Sequence, residues 1–184
     1  MKGEILKLLK ESDGYLSGQE LCERFGVSRT AVWKVINQLK EEGYEIEAVR
    51  NKGYILKSVS DVLSKEELES SLKTRWAGKE IHYFDRTDST NIQARLAGEA
   101  GASHGTLAVA EIQDGGRGRR GRSWVSPAGV GIWMSLLLRP EISPISASTL
   151  TLVMALAAQK GIKEATGIES QIKWPNDLVL NKKK

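Results

Sequence analysis

The chain has 184 residues, 40% hydrophobic and 27% charged, with a formal net charge of +4. That is enough apolar material for a real core, in one ordinary domain plus a small one. No apolar run approaches the ~20 residues that span a bilayer, and the N-terminus lacks a signal peptide's apolar core and cleavage site. A single cysteine, Cys22, cannot form an internal disulfide and fits a reducing cytoplasm. Residues 1–60 carry ten Lys/Arg against nine Asp/Glu, and residues 61–184 carry seventeen against fourteen. Neither part is strongly basic, so any case for nucleic-acid binding rests on where the cations stand.

Ile5, Leu6, Leu8 and Leu9 give a first helix one apolar face. Ser17 with Glu20 is a capping-box pair that opens a second helix over Gly18 to Phe25. Gly26 tolerates the positive φ of a tight inter-helix turn. Ser28 caps a third helix, Arg29 to Glu42, whose stripe Val32, Val35, Ile36 and Leu39 faces inward. Its other face offers Arg29, Thr30, Trp33, Lys34 and Asn37. Residues 44–49 and 54–56 then alternate as two strands around the turn Arg50-Asn51-Lys52-Gly53.

A hairpin after a helix-turn-helix is a winged helix. Gly18, Ser28, Arg29, Thr30, Lys34, Asn37, Arg50 and Lys52 are the expected DNA-facing residues. Trp33 either joins them or packs under the wing. A winged helix used for protein contacts is the alternative.

Residues 57–63 lack periodicity and read as a linker, dividing a domain at 1–60 from one at 61–184. Ser64 with Glu67 opens a helix expected to end near Gly78. A strand follows at 80–86, then Asp88-Ser89-Thr90-Asn91 before a helix carrying Ile92 and Leu96. Read in isolation, Ser89 and Thr90 are simple helix caps. Residues 106–110 form a buried strand and Gly131 to Leu138 a long one. Ser148 to Ala165 is an apolar helix fit to lie on a sheet. Residues 172–174 form a short strand, and 178–180 begin a hairpin turning at Asn181. The fold class is α+β: a winged helix-turn-helix, then a mixed sheet backed by helices.

Residues 115–122, Gly-Gly-Arg-Gly-Arg-Arg-Gly-Arg, hold four arginines and four glycines. Neither helix nor strand favours that composition. It suits a mobile loop whose amides and guanidinium groups close on an anion. The formal GxGxxG match within it is not followed by a helix start, and the Gly-Lys-Ser/Thr of a P-loop is missing, so neither nucleotide motif is supported. An RNA-binding RGG element is the other use of such a run, but two core strands bracket this one. The two histidines, His82 and His104, stand far apart without cysteine partners, so no protein metal site is expected. Lys173 stands alone at the end of an apolar stretch, before the Pro-Asn-Asp turn.

The winged helix, Ser89-Thr90-Asn91, Gln113 ahead of the arginine loop, Trp124 and Lys173-Trp-Pro-Asn-Asp177 occur in the order of the bacterial biotin–protein ligases, which the chain resembles over essentially its whole length. The winged helix marks the bifunctional type that also represses the biotin operon. The resemblance implies a class II synthetase-like core that makes biotinyl-5′-AMP from biotin and ATP with Mg²⁺. The adenylate then acylates a lysine of a biotin carboxyl carrier protein.

By the same resemblance Ser89, Thr90, Asn91, Gln113, Arg117, Gly118, Arg119 and Lys173 bind biotin. Arg120, Arg122 and Trp124 contact the adenylate, and Lys173, Arg117 and Arg119 are catalytic. It further implies a cytoplasmic protein that dimerises when adenylate-bound, binds a two-half-site operator and has no membrane partner. Family members continue beyond the position of Lys184, which leads to the expectation of a shortened chain, weak or inactive as a ligase. A non-catalytic, ligand-sensing winged-helix regulator and a lipoate ligase relative are the alternatives.

Overall fold

A computed structural model describes residues 1–58, 63–118, 121–181 and 183. The chain forms two compact units, Met1–Arg139 and Pro140–Lys184.

The first unit opens with α1 (Lys2–Glu11), α2 (Gly18–Phe25) and α3 (Arg29–Glu41), followed by β1 (Glu45–Val49) and β2 (Gly53–Ser58). The caps fall where the serines predict: the Ser17 hydroxyl accepts from Gln19 N and that of Ser28 from Ala31 N. Gly26 makes the left-handed turn between α2 and α3 at φ 62°. Ile5, Leu6, Leu9, Leu21, Val32, Val35, Ile36, Leu39, Tyr44 and Ile46 form one buried core, with Cys22 and Phe25 packed at its margin. β1 and β2 pair antiparallel, and Leu16 adds a third short strand by exchanging both backbone hydrogen bonds with Tyr54 at 2.8 Å. Gly53 is indispensable to that join: its φ is +112°, and a Cβ there would lie 1.9 Å from the Leu16 carbonyl oxygen.

α4 (Lys65–Ser71) follows, capped by the Ser64 hydroxyl accepting from Glu67 N. It ends at Ser71, well short of Gly78, because residues 72–80 turn to join the sheet, where Gly78 N donates to Gly105 O at 2.8 Å. Leu63, Leu68 and Leu72 pack on Ile81, Leu107 and Val109 of that sheet. Another face of α4 meets α1. Lys10 bonds Glu67 and the Ser70 hydroxyl, and Lys2 pairs with Glu66 at 3.0 Å. The Tyr44 hydroxyl donates to Glu67 at 3.0 Å. Burial, with the Glu67 carboxylate beside it, pushes the Tyr44 phenol up to about 12.

The sheet has the order β3 (Ile81–Thr87), β4 (Leu107–Gln113), β5 (Trp133–Leu136). β3 and β4 are parallel, joined through α5 (Thr90–Glu99), and β5 is antiparallel to β4. The first four residues of β4 are buried, as its apolar run requires of a central strand. β5 is only four residues long, half the predicted strand. Gly131 and Ile132, within the predicted strand, stand exposed before it.

The second unit holds a 3₁₀ turn (Pro144–Ser148), α6 (Thr149–Thr166) and the hairpin β6 (Gln171–Lys173), β7 (Asp177–Val179). Leu180 and Lys183 exchange both backbone hydrogen bonds, with Asn181 between them at φ 50°. The predicted turn at Asn181 is therefore present. The helical segment Pro144–Thr166 is long and apolar enough by length and composition to cross a membrane. Ser146, Ser148, Gln159 and Lys160 break up its apolar run, which is why none stands out in the sequence.

Candidate functional site

The register of the first unit decides where its chemistry gathers. β3 and β4 end together, with Thr87 opposite Gln113. α5 starts immediately beyond, so its N-terminus and the strand ends share one edge of the sheet, the usual ligand edge of parallel α/β units.

Ser89 is the N-cap residue of α5, as the sequence predicts, and the Asp88 carboxylate just ahead of it braces the turn into the helix. That carboxylate accepts from Ser89 N at 2.6 Å, from Gln93 Nε2 at 3.0 Å and from the Thr87 hydroxyl at 3.0 Å. These donors, the Ser89 amide foremost, hold the carboxyl below its usual range. Ser89 makes no capping bond. Thr90 turns away from capping altogether: its N–H and hydroxyl both donate to Gln113 Oε1, at 2.7 and 3.0 Å.

Gln113 in turn donates from Nε2 to the Ser126 hydroxyl at 3.1 Å, and the Thr90 hydroxyl lies 2.9 Å from that of Ser135. Ser89, Thr90 and Ser126 are each no more than 3% exposed. Buried hydroxyls and an amide linked this way form a rigid polar end-wall.

That wall closes one side of a cleft of about 700 Å³, ordinary for a small-molecule site. The cleft gathers Ser89, Thr90, Asn91, Gln113, Arg117, Gly118 and Trp124, seven of the predicted ligand residues. Arg95, Trp133, Met134 and Ser135 line it too, and the sequence reading missed them. A serine inside the apolar run Gly131 to Leu138 was the available signal for Ser135.

Among the described residues the arginine loop is a close-paired stem. Gln113 bridges Ser126, and Arg117 bridges Ser123. Trp124 N donates to Gly116 O at 2.8 Å and Gly118 N to Arg122 O at 2.7 Å. Gly116 has to be glycine, since a Cβ there would lie 2.4 Å from the Trp124 carbonyl oxygen. The glycines thus let two strands of backbone approach, which composition alone did not suggest. Arg117 and Arg122 are exposed, and Trp124 is 48% exposed. Arg119 and Arg120 lie outside the described residues.

Lys173 belongs to the second unit, at the end of β6, where it pairs with Asp177 and is exposed. Among the described residues no group of three His, Cys, Asp or Glu could hold a metal ion. That donor set does not fit a Mg²⁺ held by these residues alone.

A second, polar cleft of about 380 Å³ lies between α2, α3 and the β1–β2 hairpin, lined by Gly18, Arg29, Arg50 and Lys52 among others. Arg29 donates to Gln19 Oε1 at 3.0 Å, which holds it toward α2. Ser28 is engaged as the cap of α3. Thr30 and Lys34 are exposed on α3 and Asn37 half-buried. Trp33 does not pack under the hairpin; it is 56% exposed on the outer face of α3.

Residues 3–55 match the HTH domain family, and residues 83–184 match the biotin/lipoate A/B protein ligase family. The "Bifunctional ligase/repressor BirA" of Bacillus subtilis is 44% identical over 185 residues, covering all of this chain and 57% of that protein. The protein of the same name from Escherichia coli is 33% identical, covering 98% of this chain and 54% of its own length. The chain therefore spans little more than half of these relatives. The biotin protein ligase from Aquifex aeolicus in complex with biotin and ATP aligns with a TM-score of 0.48 at 36% identity, over 55% of this chain and 42% of that one. With more than half of its residues inside the ligase match and a helix-turn-helix match ahead of it, this chain belongs to the biotin/lipoate A/B protein ligase family.

Proposed function

We propose that the chain is a biotin–protein ligase fused to an operon repressor, with DNA binding in residues 1–60 and ligase chemistry in residues 61–184. The observation that carries the ligase reading is the polar end-wall of Thr90, Gln113, Ser126 and Ser135. A ureido ring presents both donors and acceptors and satisfies such a wall. The dithiolane of lipoate makes no such hydrogen bonds, so the wall favours the ureido ring.

In the proposed reaction a biotin carboxylate oxygen attacks the α-phosphorus of ATP. The bond from that phosphorus to the bridging oxygen breaks, and pyrophosphate leaves. The amine of a lysine on a biotin carboxyl carrier protein then attacks the acyl carbon of biotinyl-5′-AMP, and AMP departs. Bringing a carboxylate to a triphosphate opposes two anions, so cations must offset the repulsion. Arg117, Arg119 and Lys173 take that role, Arg120 and Arg122 serve the phosphate, and Trp124 walls the adenine. Shielding the mixed anhydride from water falls to the arginine loop.

Adenylate-linked homodimerisation and binding to a two-half-site operator complete the proposal. A winged helix with Arg29, Arg50 and Lys52 around one cleft supports the DNA part. The single half-buried Cys22 suits a cytoplasmic setting.

Mass spectrometry of the protein incubated with ATP and either biotin or lipoate tests the ligase reading. Biotinyl adenylate is expected in the small amount that a weak ligase makes, and Lys173→Ala should abolish it while leaving duplex binding intact. A lipoyl adenylate, or none with either acid, would overturn the reading in favour of the lipoate or pure-sensor alternative.

A further inference from the structure

Trp33 is the feature of the winged helix that its fold does not use. The inward stripe of α3 is complete without it, since Val32, Val35, Ile36 and Leu39 are each no more than 5% exposed. The indole stands 56% exposed, whereas Tyr44 is buried and Phe25 and Tyr54 are packed against the core. Among the described residues it has no hydrogen-bond or ring partner. The indole is the one large apolar group on the otherwise polar outer face of α3.

Its neighbours say what it would contact. Trp33 stands four residues after Arg29 and four before Asn37, so the three form one row along α3, with Thr30 and Lys34 beside it. Arg29, at the start of that row, is tied to Gln19 and lines the cleft beside the hairpin, where a phosphate would lie. Thr30, Trp33 and Lys34 remain as the outermost positions of the helix that would enter a major groove. Of these, Trp33 offers by far the largest apolar surface to the one apolar group there, the C5-methyl of thymine, with the Thr30 methyl a lesser one.

We propose that Trp33 is a specificity-determining residue of the DNA module, reading thymine methyl groups while the cations around it hold phosphates. The proposal rests on the DNA-binding reading given above. It separates two roles on one helix: Lys34 supplies salt-dependent affinity, and Trp33 supplies discrimination with no charge.

The test begins with selection of duplexes from a random library by the full chain in the presence of biotin and ATP. The expected result is enrichment of thymine at a fixed position of each half-site. Replacing that thymine with deoxyuridine removes only the methyl group, and should weaken binding by about three- to tenfold.

Trp33→Ala should bind the thymine and deoxyuridine duplexes equally, with the wild-type salt dependence. Trp33→Phe should restore part of the preference. Lys34→Ala is the counterpart: it should keep the thymine preference and lower the salt slope by about one. A urea melt of Trp33→Ala matching wild type ensures that folding is not at issue.

An equal penalty for deoxyuridine in wild type and Trp33→Ala would overturn the proposal, as would selection with no thymine enrichment. Wild-type protein that prefers no duplex at all would sink the DNA-binding reading itself, a different and recognisable result.

Discussion

The winged helix and the ligase sheet are built on opposite principles. The ten core residues of the first are apolar apart from the Tyr44 hydroxyl, and they fill the space between three helices and a hairpin. The sheet has a small apolar cluster around Ile81, Leu107 and Val109, with buried Thr87, Ser89, Thr90 and Ser126 at its ligand edge. The first region spends its burial on stability, and its chemistry stands on the outside. The second places hydroxyls where methyls would be more stable, and two of them, on Thr90 and Ser126, hold Gln113 in position.

The sharpest way to break this contrast is from the stable side. Leu39 is fully buried, and Leu39→Ala should cost about 2–5 kcal/mol, read as a lower urea midpoint with loss of duplex binding. A cost below about 1 kcal/mol would mean that the module is far less tightly packed than this core implies.

Next comes Thr90→Val, nearly the same shape without the hydroxyl. It should cost about 1–3 kcal/mol and weaken biotin binding by roughly 10- to 100-fold, because Gln113 and Ser135 both lose a partner. Isothermal titration with biotin measures this; unchanged affinity would remove the end-wall from the site.

Lys10→Met sharpens the boundary between the two regions. It cuts the partly exposed Lys10–Glu67 pair and should cost about 1 kcal/mol, leaving biotin affinity unaffected. The smallest effect concerns Asp88. Its carboxyl is held below the usual range in the folded state, so its contribution is present above about pH 4, the unfolded value, and is lost as pH falls through the folded one. Urea melts of Asp88→Ala and wild type should therefore differ at pH 7 and converge in acid.

Local signals were legible in proportion to how local their physics is. Ser17, Ser28 and Ser64 announce helix starts because a cap bonds within three residues. Gly26 announces a turn for the same reason. The end of α4 was misjudged because Gly78 serves a contact with Gly105, twenty-seven residues away in the chain. Thr90 reads as a cap in the sequence because its bonds to Gln113 depend on the parallel register of β3 and β4, which no short window contains. The candidate ligand residues come from the resemblance. Ser135 and Trp133, carried by a strand in the apolar run, were missed although they line the same cleft.

The two-sided anchoring of α4 changes what the stretch between the wing and the sheet can do. A free tether sets the reach of a DNA reader by its length. Here Lys2, Lys10 and Tyr44 grip one flank of a seven-residue helix whose other flank is seated on the sheet, so the bearing of the winged helix is fixed by a joint and not by slack. Inserting glycines between Ser58 and Leu63 should leave that bearing unchanged until the grip on α4 is also cut.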